Sequence, residues 1–250
     1  MDVAVKKERY HLLDSFRGLL LIMMIIYHTM FNIMVLGEGS FSVYNTPCYI
    51  FQQTIGWGFI FLSGMCRAIG KRHLRRGLMV LGAAAIVTFV TSVFMPSQAI
   101  NFGILVMLGS SMLILIPMEN FLKKIYPPFG FICAVMLFIL LRNIAKGNLG
   151  FEGLIFMDLP DFLYRNYFTA YLGFPPAHFS SGDYYPLFPW FFLYLSGYFF
   201  WRYLENKEWI AKPLSVKVPL LSFLGRHSLM VYLLHQPLCY AVVYLFCEVL

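Results

Sequence analysis

The segment FRGLLLIMMIIYHTMFN, residues 16–32, places His28 inside an apolar run, with Arg17 near one end and Asn32 at the other. Ionisable groups in such a run are costly in hydrocarbon, and by default they mark interior-facing functional positions. Arg17 and His28 are eleven residues apart. At about 100° per residue they share one helix face, roughly 16 Å apart along the axis. Asp14 lies three positions before Arg17 on that face, in reach of an ion pair, and Asn32 follows His28 by one turn. A neutral imidazole on such a line can take a proton from a hydroxyl or amine. The competing reading is structural, with His28 hydrogen-bonding a neighbouring helix.

A second set lies in LGRHSLMVYLLHQPLCY, residues 224–240, where Tyr232, His235, Gln236 and Cys239 share one side. Pro237 removes a backbone donor, so a kink is expected there. Counted at about 1.5 Å per residue, His28 sits roughly 20 Å and His235 roughly 14 Å into their helices. If the helices are neighbours, the two imidazoles line one space. Packing beside a proline kink is the equally open alternative for His235. In GFPPAHFSSGDYYPLFPWFFLYLSG, residues 173–197, His178 and Asp183 precede a helix whose opening turn suits Pro186 and Pro189. Asp183 could orient a histidine or bind an amino or hydroxyl group, or it could be a solvated N-cap. His11, His73 and His227 read as solvated or near headgroups. The cluster KRHLRR, with Arg72, Arg75 and Arg76, reads either as an anchor on anionic lipid or as a landing site for a phosphorylated donor.

These residues need helices to hold them, and the composition supplies them. Hydrophobic residues make up 60% of the 250 and charged residues 12%, about half the charge of a soluble domain. The expected fold is all-α, a polytopic transmembrane helix bundle forming one domain over residues 1–250. Apolar runs bounded by charge, Pro or Gly mark about seven spans, near 13–36, 49–69, 77–95, 101–118, 127–143, 186–203 and 226–248. Lys6, Lys7 and Arg9, Arg67 to Arg76, Lys123 and Lys124, and Arg202 to Arg226 all fall on one side of such a chain. The N-terminus is therefore expected in the cytoplasm and the C-terminus outside. The net charge of +7 reads as a topology signal, and no nucleic-acid motif accompanies it. The first run is too long for a signal peptide and reads as an uncleaved span. The five cysteines have no metal-ligand spacing, and no metal site is expected. Cys48 reads as a possible free thiol, the other four as small core residues. Segment 144–182 carries Asp158, Asp161 and Arg165 among aromatics, and is expected to lie on or dip into the outer interface.

RYHLLDSFRGLLLIMMIIYH resembles the opening of the membrane acyltransferases, in which a first helix carries Arg, ten residues, then His. FIFLSGMCRAIGKR, NFGILVMLGSSMLI, SSGDYYPLFPW and LGRHSLMVYLLHQP are similar, in order, to the bacterial branch of the heparan-α-glucosaminide N-acetyltransferase catalytic-domain family. Val106 stands where that branch often has His, and the loop 38–48 has no histidine, so the carried-over position is His28.

The resemblance implies acyl transfer from a cytosolic acyl-CoA, acetyl-CoA foremost, to an extracytoplasmic glycan or sugar acceptor at a bacterial cytoplasmic membrane. The CoA is a substrate, and no permanently bound cofactor is expected. On this reading His28 is the base, with Arg17 and Asp14 on the donor side and Asn32 beyond it. Arg72, Arg75 and Arg76 meet the donor phosphates. His235 and Gln236, beside Tyr232, bind the carbonyl oxygen. Asp183 and His178 hold the acceptor, with Tyr184 and Trp190 as a surface for a sugar ring. The rival reading is a proton-coupled transporter or flippase, for which an Arg/His line also suits.

Overall fold

The computed structural model describes residues 10–36, 42–205, 207 and 214–249. Lys6, Lys7, Arg9 and Lys212, which carry part of the expected orientation, lie outside the described residues. Helices form at every expected position: α1 (His11–Leu36), α2 (Thr46–Ile69), α3 (His73–Phe94), α4 (Ile104–Leu122), α5 (Pro127–Leu141) and α7 (Leu187–Leu204), with a short α6 (Tyr167–Leu172) before the last. The expected helix 226–248 is α9 (Ser228–Tyr244), continued by one π turn to Val249, and an additional short helix, α8 (Pro219–Arg226), precedes it across His227. Pro219 at the first turn of α8 is the local signal for this added helix. Pro237 lies within α9, which stays α-helical from Ser228 to Tyr244.

Among the described residues, five helical segments are long and apolar enough to cross a membrane: α1, α3, α4, 127–146 and 228–247. The chain is a multi-pass, nearly all-α membrane protein. The two remaining long helices, α2 and α7, are less apolar, because Gln52 and Gln53 interrupt the first and the second carries Tyr, Trp and Arg202.

Local chemistry starts several helices. Asn45 Oδ1 accepts the Cys48 N–H at 2.9 Å, and Asn166 Oδ1 accepts the Thr169 N–H at 2.9 Å. Both satisfy donors that the first turn of a helix leaves open. At α5, Pro127 at the helix start has no N–H to satisfy, and Tyr126 before it is extended, as a residue preceding proline prefers.

The chain divides into two compact units, residues 1–59 with 205–250, and residues 60–204. In the first unit α1 packs on α8 and α9, around Leu21, Met24 and Ile55. The α1–α8 contact is made of small residues. A Cβ on Gly18 would stand 2.0 Å from the Leu221 carbonyl oxygen, and one on Gly225 would stand 1.8 Å from that of Asp14. Between them Ser15 and Ser222 share a hydroxyl–hydroxyl bond of 2.7 Å. Small residues let backbones approach, which is how membrane helices gain packing where lipid is as apolar as leucine. Cys48 is a free thiol and is buried, whereas Cys247, expected as a core residue, is exposed.

In the second unit α3 packs on α4, and α7 packs on α4 and α5. The α2–α7 contact again uses glycine, with Gly64 against Tyr194 and Gly197 against Phe61. Arg67 of α2 is buried and donates to Glu119 of α4 at 3.0 Å, and Glu119 also pairs with Lys123 at 2.7 Å. Glu119→Gln is expected to lower stability by about 1.5–3 kcal/mol, the value of a hydrogen bond to a charged group. It would fall short of the about 3–5 kcal/mol for breaking a fully buried pair, because Glu119 is partly exposed. Thermal unfolding in detergent measures it.

Segment 144–182 contains no span. It holds a two-stranded antiparallel hairpin, β1 (Asn148–Phe151) and β2 (Leu154–Asp158), followed by a 3-10 turn and the six-residue α6. A transmembrane helix needs about 20 residues and a transmembrane strand about 9–11, so none of these can cross.

Candidate active site

The first unit brings the two expected polar lines together. The rings of His28 on α1 and His235 on α9 lie 4.8 Å apart between centroids, edge to face. Tyr232, one turn before His235, has its ring 5.3 Å from that imidazole, and Tyr27 stands at 5.7 Å from His28. One turn beyond His28, the buried Asn32 accepts a hydrogen bond on Oδ1 from Gln236 Nε2 at 3.4 Å. The Cys239 thiol points at the Ile25 carbonyl of α1 at 3.9 Å. Helical period places these residues on single faces, and packing of α1 on α9 makes the faces meet.

The hydrogen-bond assignment fixes what each group can still do. His235 Nδ1 bonds to the Tyr232 carbonyl. A carbonyl only accepts, so Nδ1 carries the proton and in the neutral ring Nε2 is the acceptor. His235 Nε2, Asn32 Nδ2 and Gln236 Oε1 are all buried and have no hydrogen-bond partner among the described residues. Buried polar groups are paired in the great majority of cases. Here three stay open, two acceptors on α9 and one donor on α1.

Asp14 and Arg17 form the expected pair, with Arg17 Nη1 donating to Asp14 Oδ1 at 3.4 Å. Asp14 is 5% exposed, at the small-residue contact with α8.

In the second unit Arg72, Arg75 and Arg76 are exposed at the turn into α3, with Arg72 in the left-handed region at φ 61°. Asp183 does not cap α7. Its Oδ2 accepts the Ile104 N–H at 3.3 Å, so it serves the N-terminus of α4, and its carboxyl is enclosed although the residue keeps some exposed surface. Burial pushes this carboxyl up to about 6, against the lowering effect of the Ile104 N–H. A folded-state value above the unfolded one means that the folded protein holds the proton more tightly. That contribution to stability is present below about pH 4, the ordinary Asp value, and is lost as pH rises through about 6. Asp183→Asn is expected to flatten this fall, read as the unfolding temperature across a pH series.

Tyr184 donates its hydroxyl to the Ala170 carbonyl at 2.6 Å, and burial raises its phenol above the ordinary value. His178 is exposed. Trp190, expected to offer a face to a sugar ring, is 5% exposed. Arg142 stands over its ring at 5.0 Å and Tyr185 and Phe138 pack against it. A large aromatic with a cation on its face gains more from the core than from water.

In the sequence Arg67, Lys123 and Arg142 stand only as topology charges, and nothing there marks Glu119 as a partner. The signal is an acid just past the fourth apolar run and an Arg at the end of the fifth. Neither named its partner.

Apolar helices thus hold two imidazoles and two carboxamides in the interior of a membrane protein, an arrangement suited to moving protons and binding polar substrate there. A family model described as heparan-alpha-glucosaminide N-acetyltransferase, catalytic, matches residues 9–237. The chain belongs to that family, a family of membrane acetyltransferases. Comparison with curated proteins and with solved structures gives no match.

Proposed function

We propose that this protein transfers an acyl group, acetyl foremost, from a cytosolic acyl-CoA to a hydroxyl or amine of an extracytoplasmic sugar or glycan. It would do so as a multi-pass protein of a bacterial cytoplasmic membrane. The observation that carries the reading is the His28–His235 pair with three open polar atoms beside it.

In the proposed reaction the acceptor O–H or N–H attacks the thioester carbonyl carbon while His28 takes its proton. Negative charge gathers on the carbonyl oxygen. Gln236 Nε2 gives one of its N–H groups to Asn32 and His235 Nδ1 is directed to Tyr232, and Asn32 Nδ2, whose N–H groups have no partner among the described residues, is the donor assigned to that charge. The C–S bond then breaks, and the CoA thiolate receives the proton that His28 holds. His235 Nε2, an acceptor in the neutral ring, gives the transferred proton a second resting place beside His28. Gln236 Oε1 is an acceptor for an amide N–H or hydroxyl of either substrate. The exposed Arg72, Arg75 and Arg76 supply positive potential that attracts an anionic donor to the surface. Asp14 and Arg17 fix the cytoplasmic end of α1.

The test uses the full chain in nanodiscs. Acetyl-CoA is titrated by calorimetry, and CoA release is then followed with and without a panel of amino sugars. Saturable binding and acceptor-stimulated CoA release are expected. Folded protein that binds no acyl-CoA would overturn the reading and turn attention to proton-coupled flux.

A further inference from the structure

We propose that the β1–β2 hairpin is an interfacial lipid-binding element, its strand Leu154–Met157 taking acyl chains of the leaflet that meets the C-terminal end of α5. This inference does not depend on the transfer reaction.

The starting observation is an exposure pattern that water does not favour. Leu154, Ile155, Phe156 and Met157 are consecutive and are 64%, 62%, 61% and 55% exposed. Successive residues of a strand point to opposite faces, so both faces of β2 are apolar and open. Leu154 pairs with Phe151 and Ile155 with Gly150, and Phe156 is the extra residue of a bulge. Phe162 and Phe168, just beyond, are 61% and 75% exposed. An apolar patch of this kind marks an interaction site. A protein partner packing on the sheet would ask for one apolar face, whereas acyl chains surround both.

The hairpin is also continuous with a surface that faces lipid. It follows α5, a membrane-spanning helix whose Phe129, Ile132, Met136 and Leu137 are exposed, with one 3-10 turn between them. It is fixed to that helix end. Asn143, 1% exposed, donates its amide to the carbonyls of Glu152 at 2.9 Å and Leu154 at 3.3 Å, and its own N–H reaches Gly150 at 3.2 Å. Arg142 and Lys146 pair with Glu152 at the hairpin turn, at 3.0 and 3.9 Å. The Tyr164 hydroxyl closes the base on the Ile144 carbonyl at 2.6 Å. The apolar strand is therefore held at a set depth by a buried amide.

Physical limits decide how deep. Five residues at about 3.3 Å each reach roughly 17 Å, too short to span. An open two-stranded sheet leaves backbone donors and acceptors at both edges, which the hydrocarbon centre does not tolerate. The charges of Arg142, Lys146, Glu152, Asp158 and Asp161 bracket the apolar strand. An element with apolar side chains, open backbone edges and flanking charges fits the zone where acyl chains meet headgroups, where aromatic residues also concentrate.

The experiment places the photoreactive residue benzoylphenylalanine at Leu154 or at Ile155, one on each face, in the full chain in phosphatidylcholine proteoliposomes. A third protein carries it at Met136 of α5 as the lipid-facing reference. After irradiation, intact mass separates a phospholipid adduct from a covalent pair of chains. Phospholipid adducts at both hairpin positions, in yield comparable to position 136, are expected. Adducts at 136 with none at 154 and 155 would place the hairpin in water and overturn the proposal. Adducts at one hairpin position only would show that a face is covered by protein. Chain pairs at both would assign the surface to a second copy. Either of these results also overturns it.

Discussion

Alanine at His28 is expected to lower acyl transfer by about 10²–10⁴-fold, the usual contribution of a positioned general base, while acyl-CoA binding and unfolding temperature stay close to wild type. The expectation rests on placement. The His28 ring is 4.8 Å from that of His235, beside an amide pair with an open donor and an open acceptor. The loss should therefore fall on turnover rather than on donor affinity. His235→Ala should cost a similar order, because it removes the acceptor Nε2 and the ring whose tautomer Tyr232 fixes. If the imidazoles work as a unit, the double variant should be little worse than either single one, as groups that share one step are non-additive. Single-turnover CoA release with the three variants measures this. A His28→Ala protein with full turnover would remove the central residue from the mechanism, and additive losses would separate the two roles. Asn32→Ala adds a distinct readout. Loss of an oxyanion donor should lower turnover by about 10²–10³-fold, and Asn32→Asp should not rescue it, since a carboxylate offers no donor.

Gly225→Ala should be the most damaging single methyl in the described chain. An ideal Cβ there would lie 1.8 Å from the Asp14 carbonyl oxygen and 3.1 Å from the Gly18 nitrogen. Both are backbone atoms, so no side chain can swing aside, and α8 must move off α1. Forced packing of this kind costs about 1–3 kcal/mol and sometimes more. The same shift would break the Ser15–Ser222 bond at 2.7 Å and disturb α1, which carries His28. Lowered unfolding temperature and lowered transfer should therefore appear together. Gly82→Ala is the control. Nothing lies within 4 Å of a Cβ at Gly82 in the exposed face of α3, and alanine there should raise helix stability by about 0.5–1 kcal/mol. Unfolding temperatures of the two variants in the same detergent decide the matter. If Gly225→Ala were as stable as Gly82→Ala, the close α1–α8 contact would not be a feature of the folded protein.

Both predictions draw on residues whose pattern is visible along the chain and on contacts that are not. The seven apolar runs each became helix, because hydrophobic content and helical period act over one or two turns. The alignment of Arg17, His28 and Asn32 is likewise local, being fixed by about 100° per residue. So is the grouping of Tyr232, His235 and Gln236 on α9.

Tertiary structure decided what those faces meet. Asn32 and Gln236 are 204 residues apart, and only the packing of α1 on α9 pairs them and leaves Asn32 Nδ2, Gln236 Oε1 and His235 Nε2 open. Asp183 sits at the foot of one helix in sequence, yet it caps another 79 residues away, because a buried carboxylate goes to whatever unsatisfied N–H the fold offers. Trp190 was legible as an aromatic but not as a core residue, since burial depends on Arg142 and Phe138 arriving over it. Hydropathy and helical period are enough to specify a helical membrane protein with an imidazole in its first apolar helix. Which polar atoms are paired and which are left open was decided only in three dimensions, because hydrogen bonds between distant segments carry no period along the chain.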